Sequence, residues 1–166
     1  MEDGRVKCWG YGSHQANGYS NTNHIGDGPN EIPSDDLDLP PNAISISRNR
    51  VHTCAVLEDG EVWCWGDNGN SRLGRSGSSR TPGKVEGLPS PAVQVVAAYD
   101  SASLALLDDG SVWSWGYGGS GQRGDGTWNT GYEPTKVALG DQKAVMISGG
   151  DVILALLDDG NVVSWG

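Results

Sequence analysis

Two cysteines, Cys54 and Cys64, lie on either side of the Asp-Gly step Asp59-Gly60. If the chain reverses there, the two thiols face each other and can form a disulfide. The same two columns hold Leu104 with Ser114 and Leu154 with Ser164 further along the chain. The cysteines are thus present together or absent together, which favours a structural cross-strand disulfide over two buried thiols. A disulfide points in turn to an oxidising, extracytoplasmic setting, secreted or at the cell surface. Cys8 occupies the Cys64 column, and its expected partner lies on an upstream strand. No histidine can be placed beside any of the three, so no reactive thiol is expected.

A second group with chemical potential is Arg123, Trp128 and Tyr132, in the polar loop GQRGDGTWNTGYEP at residues 121–134. Arg, Trp and Tyr are the types enriched at interface hot spots. They are the candidate interaction surface, with a protein or glycan as partner. The alternative is packing of the loop on its own sheet. Other constellations are poor. His14 and His24 stand singly among polar residues without metal-ligand spacing. The Gly-Asp-Gly steps at residues 26–28 and 124–126 lack the spacing of a calcium loop. There is no Gly-x-Ser-x-Gly and no phosphate-binding Gly-rich loop. No catalytic residue, metal or cofactor is therefore assigned, and the chain reads as non-enzymatic.

Composition narrows the classes further. The formal net charge is −10. Nucleic-acid binding draws its affinity from Lys and Arg, so that role is excluded. No apolar run approaches the roughly 18 residues of a membrane span. Glycine is frequent at 26 residues, and four of the seven tryptophans fall in one repeating column.

That column reveals the elements that position everything else. HTCAVLEDGEVWCWG (residues 52–66) recurs as ASLALLDDGSVWSWG (102–116) and VILALLDDGNVVSWG (152–166), and DGRVKCWG (3–10) is a shortened copy. The Asp-Gly glycines are Gly4, Gly60, Gly110 and Gly160, at intervals of 56, 50 and 50 residues. Trp9, Trp65, Trp115 and Trp165, with Gly10, Gly66, Gly116 and Gly166 after them, keep those intervals. A fixed period of this length marks a repeat architecture.

Each copy predicts a β-hairpin, because Asp-Gly between apolar runs supplies the turn. A two-residue turn would set Glu58 against Glu61. A three-residue turn, Glu58-Asp59-Gly60, pairs Val56 with Val62, Ala55 with Trp63 and Cys54 with Cys64, and is preferred. Both faces are then apolar, so the hairpin must be sandwiched between neighbours, as a propeller blade is. Lead-in strands are expected at residues 43–47, 94–98 and 144–148. An outer strand is expected after Pro82 and after Pro134, giving about four strands per unit. After each Trp-Gly comes a polar loop with a glycine nine residues beyond the Trp: Gly18, Gly74 and Gly124.

On His52-Thr53-Cys54-Ala55, Asp59-Gly60, Val62, Trp65-Gly66, Leu73-Gly74 and their counterparts up to Gly121-Gln122 and Gly124, the chain resembles the regulator of chromosome condensation repeat family, of bacterial or archaeal type. The His52 column holds Ala102 and Val152 in the other units, a departure from the pattern. A kelch propeller shares the period, but only Gly149-Gly150 leads a hairpin as that family requires. The resemblance implies an all-β propeller, usually of seven blades, and a binding scaffold acting through its loops. Guanine-nucleotide exchange on a small GTPase is the alternative function, by family analogy. Repeat units are drawn at about 5–60, 61–110 and 111–160, with 161–166 opening the next, as one partial propeller over residues 1–166. The chain starts and ends on a second hairpin strand. The expectation is an open arc of about three blades, with an uncovered apolar face on the hairpin at 154–165. Further blades or self-association would cover it.

Overall fold

The computed structural model describes residues 5–10, 12, 14, 16–19, 23–26, 28–29, 36–77, 80–99 and 102–166. Asp3-Gly4, Asp27 and the first two residues of the 34–42 insertion lie outside them.

The architecture is all-β. β1 (Ala43–Arg48), β2 (His52–Leu57), β3 (Val62–Gly66) and β4 (Gly83–Lys84) form the first antiparallel sheet, in that order. β5 (Ala92–Ala97), β6 (Ala102–Leu107), β7 (Val112–Gly116) and β8 (Gly131–Lys136) form the second. β9 (Ala144–Gly149), β10 (Ile153–Leu157) and β11 (Val162–Trp165) form the third. The third sheet has three strands among the described residues, one fewer than its neighbours. Each sheet spans a hairpin turn, so sequence units cut at residues 60, 110 and 160 divide sheets internally.

The turns follow from the sequence. The Leu57 N–H donates to Glu61 O, and the Gly60 N–H to Leu57 O, both at 2.9 Å. Gly60, Gly110 and Gly160 sit at φ 81°, 83° and 86°, a region that disfavours any residue with a Cβ. This is the three-residue turn, and the register places Cys54 opposite Cys64 and Val56 opposite Val62. A feature absent from the sequence reading is a bulge in each inner strand, at Ile44, Val93 and Val145.

The sheets stack face to face as an open series. Cys54, Val56, Val62 and Cys64 of the first meet Val95, Ala105, Leu107 and Trp115 of the second. Val96, Leu104, Leu106 and Val112 on the second sheet's other face meet Ile147, Ala155 and Leu157 of the third. Burying each Val, Leu or Ile among them is worth about 1.5–3 kcal/mol. The third sheet's outer face is uncovered: Leu154 and Val162 are 42% and 62% exposed, where Leu104 and Val112 are 0% and 1%.

A hydrogen bond from the tryptophan column locks each sheet to the preceding loop. The indole N–H of Trp65 donates to Ala16 O, that of Trp115 to Arg72 O and that of Trp165 to Gln122 O, at 3.1, 2.9 and 3.0 Å. Each acceptor lies seven residues after the preceding tryptophan of the column: Ala16 after Trp9, Arg72 after Trp65 and Gln122 after Trp115. Gly74 and Gly124 lie against the next indole: a Cβ would come within 3.0 Å of Trp115 Nε1 and 2.6 Å of Trp165 Nε1. The glycines nine residues after each tryptophan therefore leave room for the next tryptophan.

Candidate interaction surface

Between β7 and β8 the chain must turn back within fourteen residues, 117–130. Gly118 makes this possible. A Cβ there would lie 2.1 Å from Asn129 O, so only glycine lets the returning segment pack so close. Gly121 and Gly124 adopt φ 84° and 61° in the same loop.

The loop is held by Arg123, which the sequence reading placed on the interaction surface. That placement is corrected. Arg123 is 4% exposed. Its Nε lies 3.1 Å from Asp125 Oδ2, and its Nη2 donates to Thr135 Oγ1. Nη1 and Nη2 also reach the carbonyls of Asn129 and Glu133, each at 3.4 Å. Burial would raise the Asp125 pKa, but bonds from Thr127 and Thr135 and the Arg123 charge outweigh it and hold the carboxyl below its usual range. Asp125, the centre of the Gly-Asp-Gly step, thus braces the loop through Arg123, Thr127 and Thr135. Among the described residues no three His, Cys, Asp or Glu side chains cluster to hold a metal ion.

On this braced loop Trp128 is 73% exposed, and at the start of β8 Tyr132 is 42% exposed. Tyr132 borders a groove of about 850 Å³ between the first two sheets, with Arg75, Lys84, Glu86, Glu133 and Pro134. Trp128 is not part of that lining. The three residues grouped in the sequence thus separate into an internal strut, a groove wall and a projecting indole.

Cys54 and Cys64 are bonded, both fully buried, with Cα atoms 4.1 Å apart, just below the 4.4–6.8 Å typical of disulfides. Cys8 is free and half-buried, and burial pushes its thiol pKa up. Beside the disulfide lies a polar pair that the sequence reading missed. Fully buried His52 pairs through Nε2 with Ser103 Oγ at 2.8 Å, and Ser103 donates to Arg72 O at 2.8 Å. Burial above all, and then the Arg72 charge, depress the His52 pKa to about 3, with Asp67 opposing. His52 and Ser103 belong to different sheets, so this contact is a joint between blades.

Two profiles of the regulator of chromosome condensation (RCC1) repeat match the chain, one at residues 44–72 and 93–122, the other at 59–106 and 109–157. The regulator of chromosome condensation of Drosophila melanogaster is 41% identical over 56 residues, 31% of this chain and 10% of that protein. The human E3 ubiquitin-protein ligase HERC2 is 32% identical over 107 residues, 63% of this chain and 2% of that protein. Among solved structures, Prp20p of Saccharomyces cerevisiae superposes with a TM-score of 0.75 at 27% identity, over 98% of this chain and 41% of Prp20p. The chain thus spans a small part of the curated relatives and under half of Prp20p. By the extent of the family match and the stacked antiparallel sheets, the chain belongs to the regulator of chromosome condensation (RCC1) repeat family.

Proposed function

We propose that the chain is a non-catalytic scaffold that binds a protein partner through Trp128 on this loop and Tyr132 at the start of β8. The observation that carries this reading is the exposure of Trp128, 73%, on a loop whose own brace is buried. An indole held out by a rigid loop loses little conformational entropy on binding. It is also the side chain most enriched at hot spots. The Cys54–Cys64 bond supports an extracytoplasmic location. Thiol counting on protein from its native source, with and without reductant, checks that part.

The test is affinity capture from the native source with wild type, W128A and Y132A side by side. Specific partners lost from both variants, with unchanged folding, support the reading; identical capture by all three rejects it. Nucleotide exchange on a small GTPase is the second reading. It draws on the likeness to Prp20p, whose structure was reported with that protein's binding to Gsp1p and histones. Release of labelled nucleotide from a GTPase panel separates the two.

A further inference from the structure

The bulges of the inner strands expose a column of β-branched side chains. Ile44, Val93 and Val145 are 57%, 47% and 56% exposed. Most other exposed apolar positions occur in one sheet only. Leu154 and Val162 have buried counterparts in Leu104 and Val112, and Ile46, 53% exposed, has Val95 and Ile147 at 2%. Leu154, Val162 and Ile46 lie on sheet faces that no other described sheet covers. Val93 differs, because its sheet is packed on both faces and Val93 is still open. The bulge itself turns these side chains outward, as bulges re-aim side chains elsewhere.

Beside each bulge stands an acidic turn. Glu58-Asp59, Asp108-Asp109 and Asp158-Asp159 are all exposed. Backbone bonds tie turn to bulge: the N–H groups of Glu58, Asp108 and Asp158 donate to the carbonyls of Asn42, Pro91 and Lys143, each at 2.9 Å. Each bulged side chain follows two residues after the carbonyl so held. The nearby cations are few. Lys84 is engaged by Glu61 at 2.6 Å, and the Lys143 side chain lies over Gly110. Lys136 and Lys143 both contribute to lowering the Asp109 pKa, after the bonds from Ser111.

We propose that this rim of alternating aliphatic bulges and paired carboxylates docks a basic protein segment with spaced aliphatic side chains. The exposed column supplies apolar contact at a repeating interval. The carboxylate pairs repel an acidic partner and steer a basic one. The surface is separate from Trp128, because β7 runs from the acidic turn at Val112 to Gly116, and the Trp128 loop leaves from that far end.

The test uses the full chain and a fluorescent amphipathic Lys/Leu peptide, with anisotropy read at several salt concentrations. V93S leaves the net charge and the buried core unchanged, and near-UV circular dichroism checks its fold. V93S should weaken binding about tenfold or more, and the D108N/D109N pair by a similar factor with a flatter salt dependence. L154S, on the uncovered outer face, should stay within about twofold, and a Lys-only peptide should bind about tenfold more weakly than the Lys/Leu peptide. The proposal is overturned by full affinity in V93S, by equal binding of the Lys-only peptide, or by a loss in L154S that V93S does not share.

Discussion

After Trp65 the chain takes 17 residues to reach Pro82; after Trp115 it takes 19 to reach Pro134. In the first loop the side chain of Asn68 fills the interior. Its Oδ1 accepts from the Leu73 N–H at 3.1 Å, and its Nδ2 donates to Arg75 O at 3.3 Å and to Gly77 O. In the second loop the corresponding residue is Gly118, and the backbone at Asn129 packs into the space instead. Both loops carry a guanidinium that grips the carbonyl before the outer strand's proline. Arg75 takes Thr81 O and Cys64 O, while Arg123, two columns earlier in the repeat, takes Glu133 O. The repeat therefore fixes the job of the strut and leaves its sequence position free. The longer loop has length left over after its own bracing, and that surplus carries Trp128. In the shorter loop Asn68 and Arg75 bond to carbonyls of the loop itself and to Cys64 O.

The largest effects should come from what the two loops share. W115A removes a fully buried indole and the latch to Arg72 O, and should cost about 3–5 kcal/mol in urea melts. G74A, at φ 66° with its Cβ 2.7 Å from Val85, should cost well over the about 1 kcal/mol expected for G77A, where nothing lies within 4 Å. Equal losses from the two glycine variants would mean that the indole seat is unimportant.

The struts should differ next. R123M leaves the 7%-exposed Asp125 carboxylate without its cation and should cost about 3 kcal/mol. R75M removes the bonds to Thr81 O and Cys64 O, both neutral carbonyls, and should cost about 1 kcal/mol. The reverse order would break the parallel drawn between the loops.

Acid should separate the first joint from the second. His52 is neutral and buried beside Arg72 of the first loop, whereas its counterpart Ala102 cannot titrate. The folded pKa of about 3 lies below the unfolded value near 6.5. Between them the unfolded chain binds more protons. The His52 contribution is thus intact above about pH 6.5 and is lost toward pH 3, at about 1.4 kcal/mol per pH unit. The difference between wild-type and H52A melts at pH 7, 5.5 and 4.5 isolates it, and a pH-independent difference would contradict the burial.

Much of this was legible in the sequence, for physical reasons. The hairpin register, its turn glycines and the two-sided apolar pattern are local, and they recur, so each copy tests the others. The Trp65, Trp115 and Trp165 columns and the glycines that seat them could be read as spacing before their contact was known. The Arg123 brace could not, because the burial of Arg123 depends on Thr135 and Glu133 folding back over it. An arginine beside an exposed tryptophan looks the same whether it points out or in. The His52–Ser103 pair is 51 residues apart in the chain and joins two sheets, with no repeat to announce it. The bulges were also invisible, since the strands' alternation shows no extra residue.

The smallest stability effect should accompany the largest functional one. Replacing an indole that is 73% exposed should change stability by no more than about 0.5 kcal/mol. The decisive measurement is calorimetric titration with a partner identified by photocrosslinking from position 128, using wild type and W128A of matched melting behaviour. At least a tenfold rise in Kd, or about 1.4 kcal/mol, is expected for W128A. A Kd unchanged within twofold would place the interface elsewhere and contradict the assignment of the longer loop to recognition.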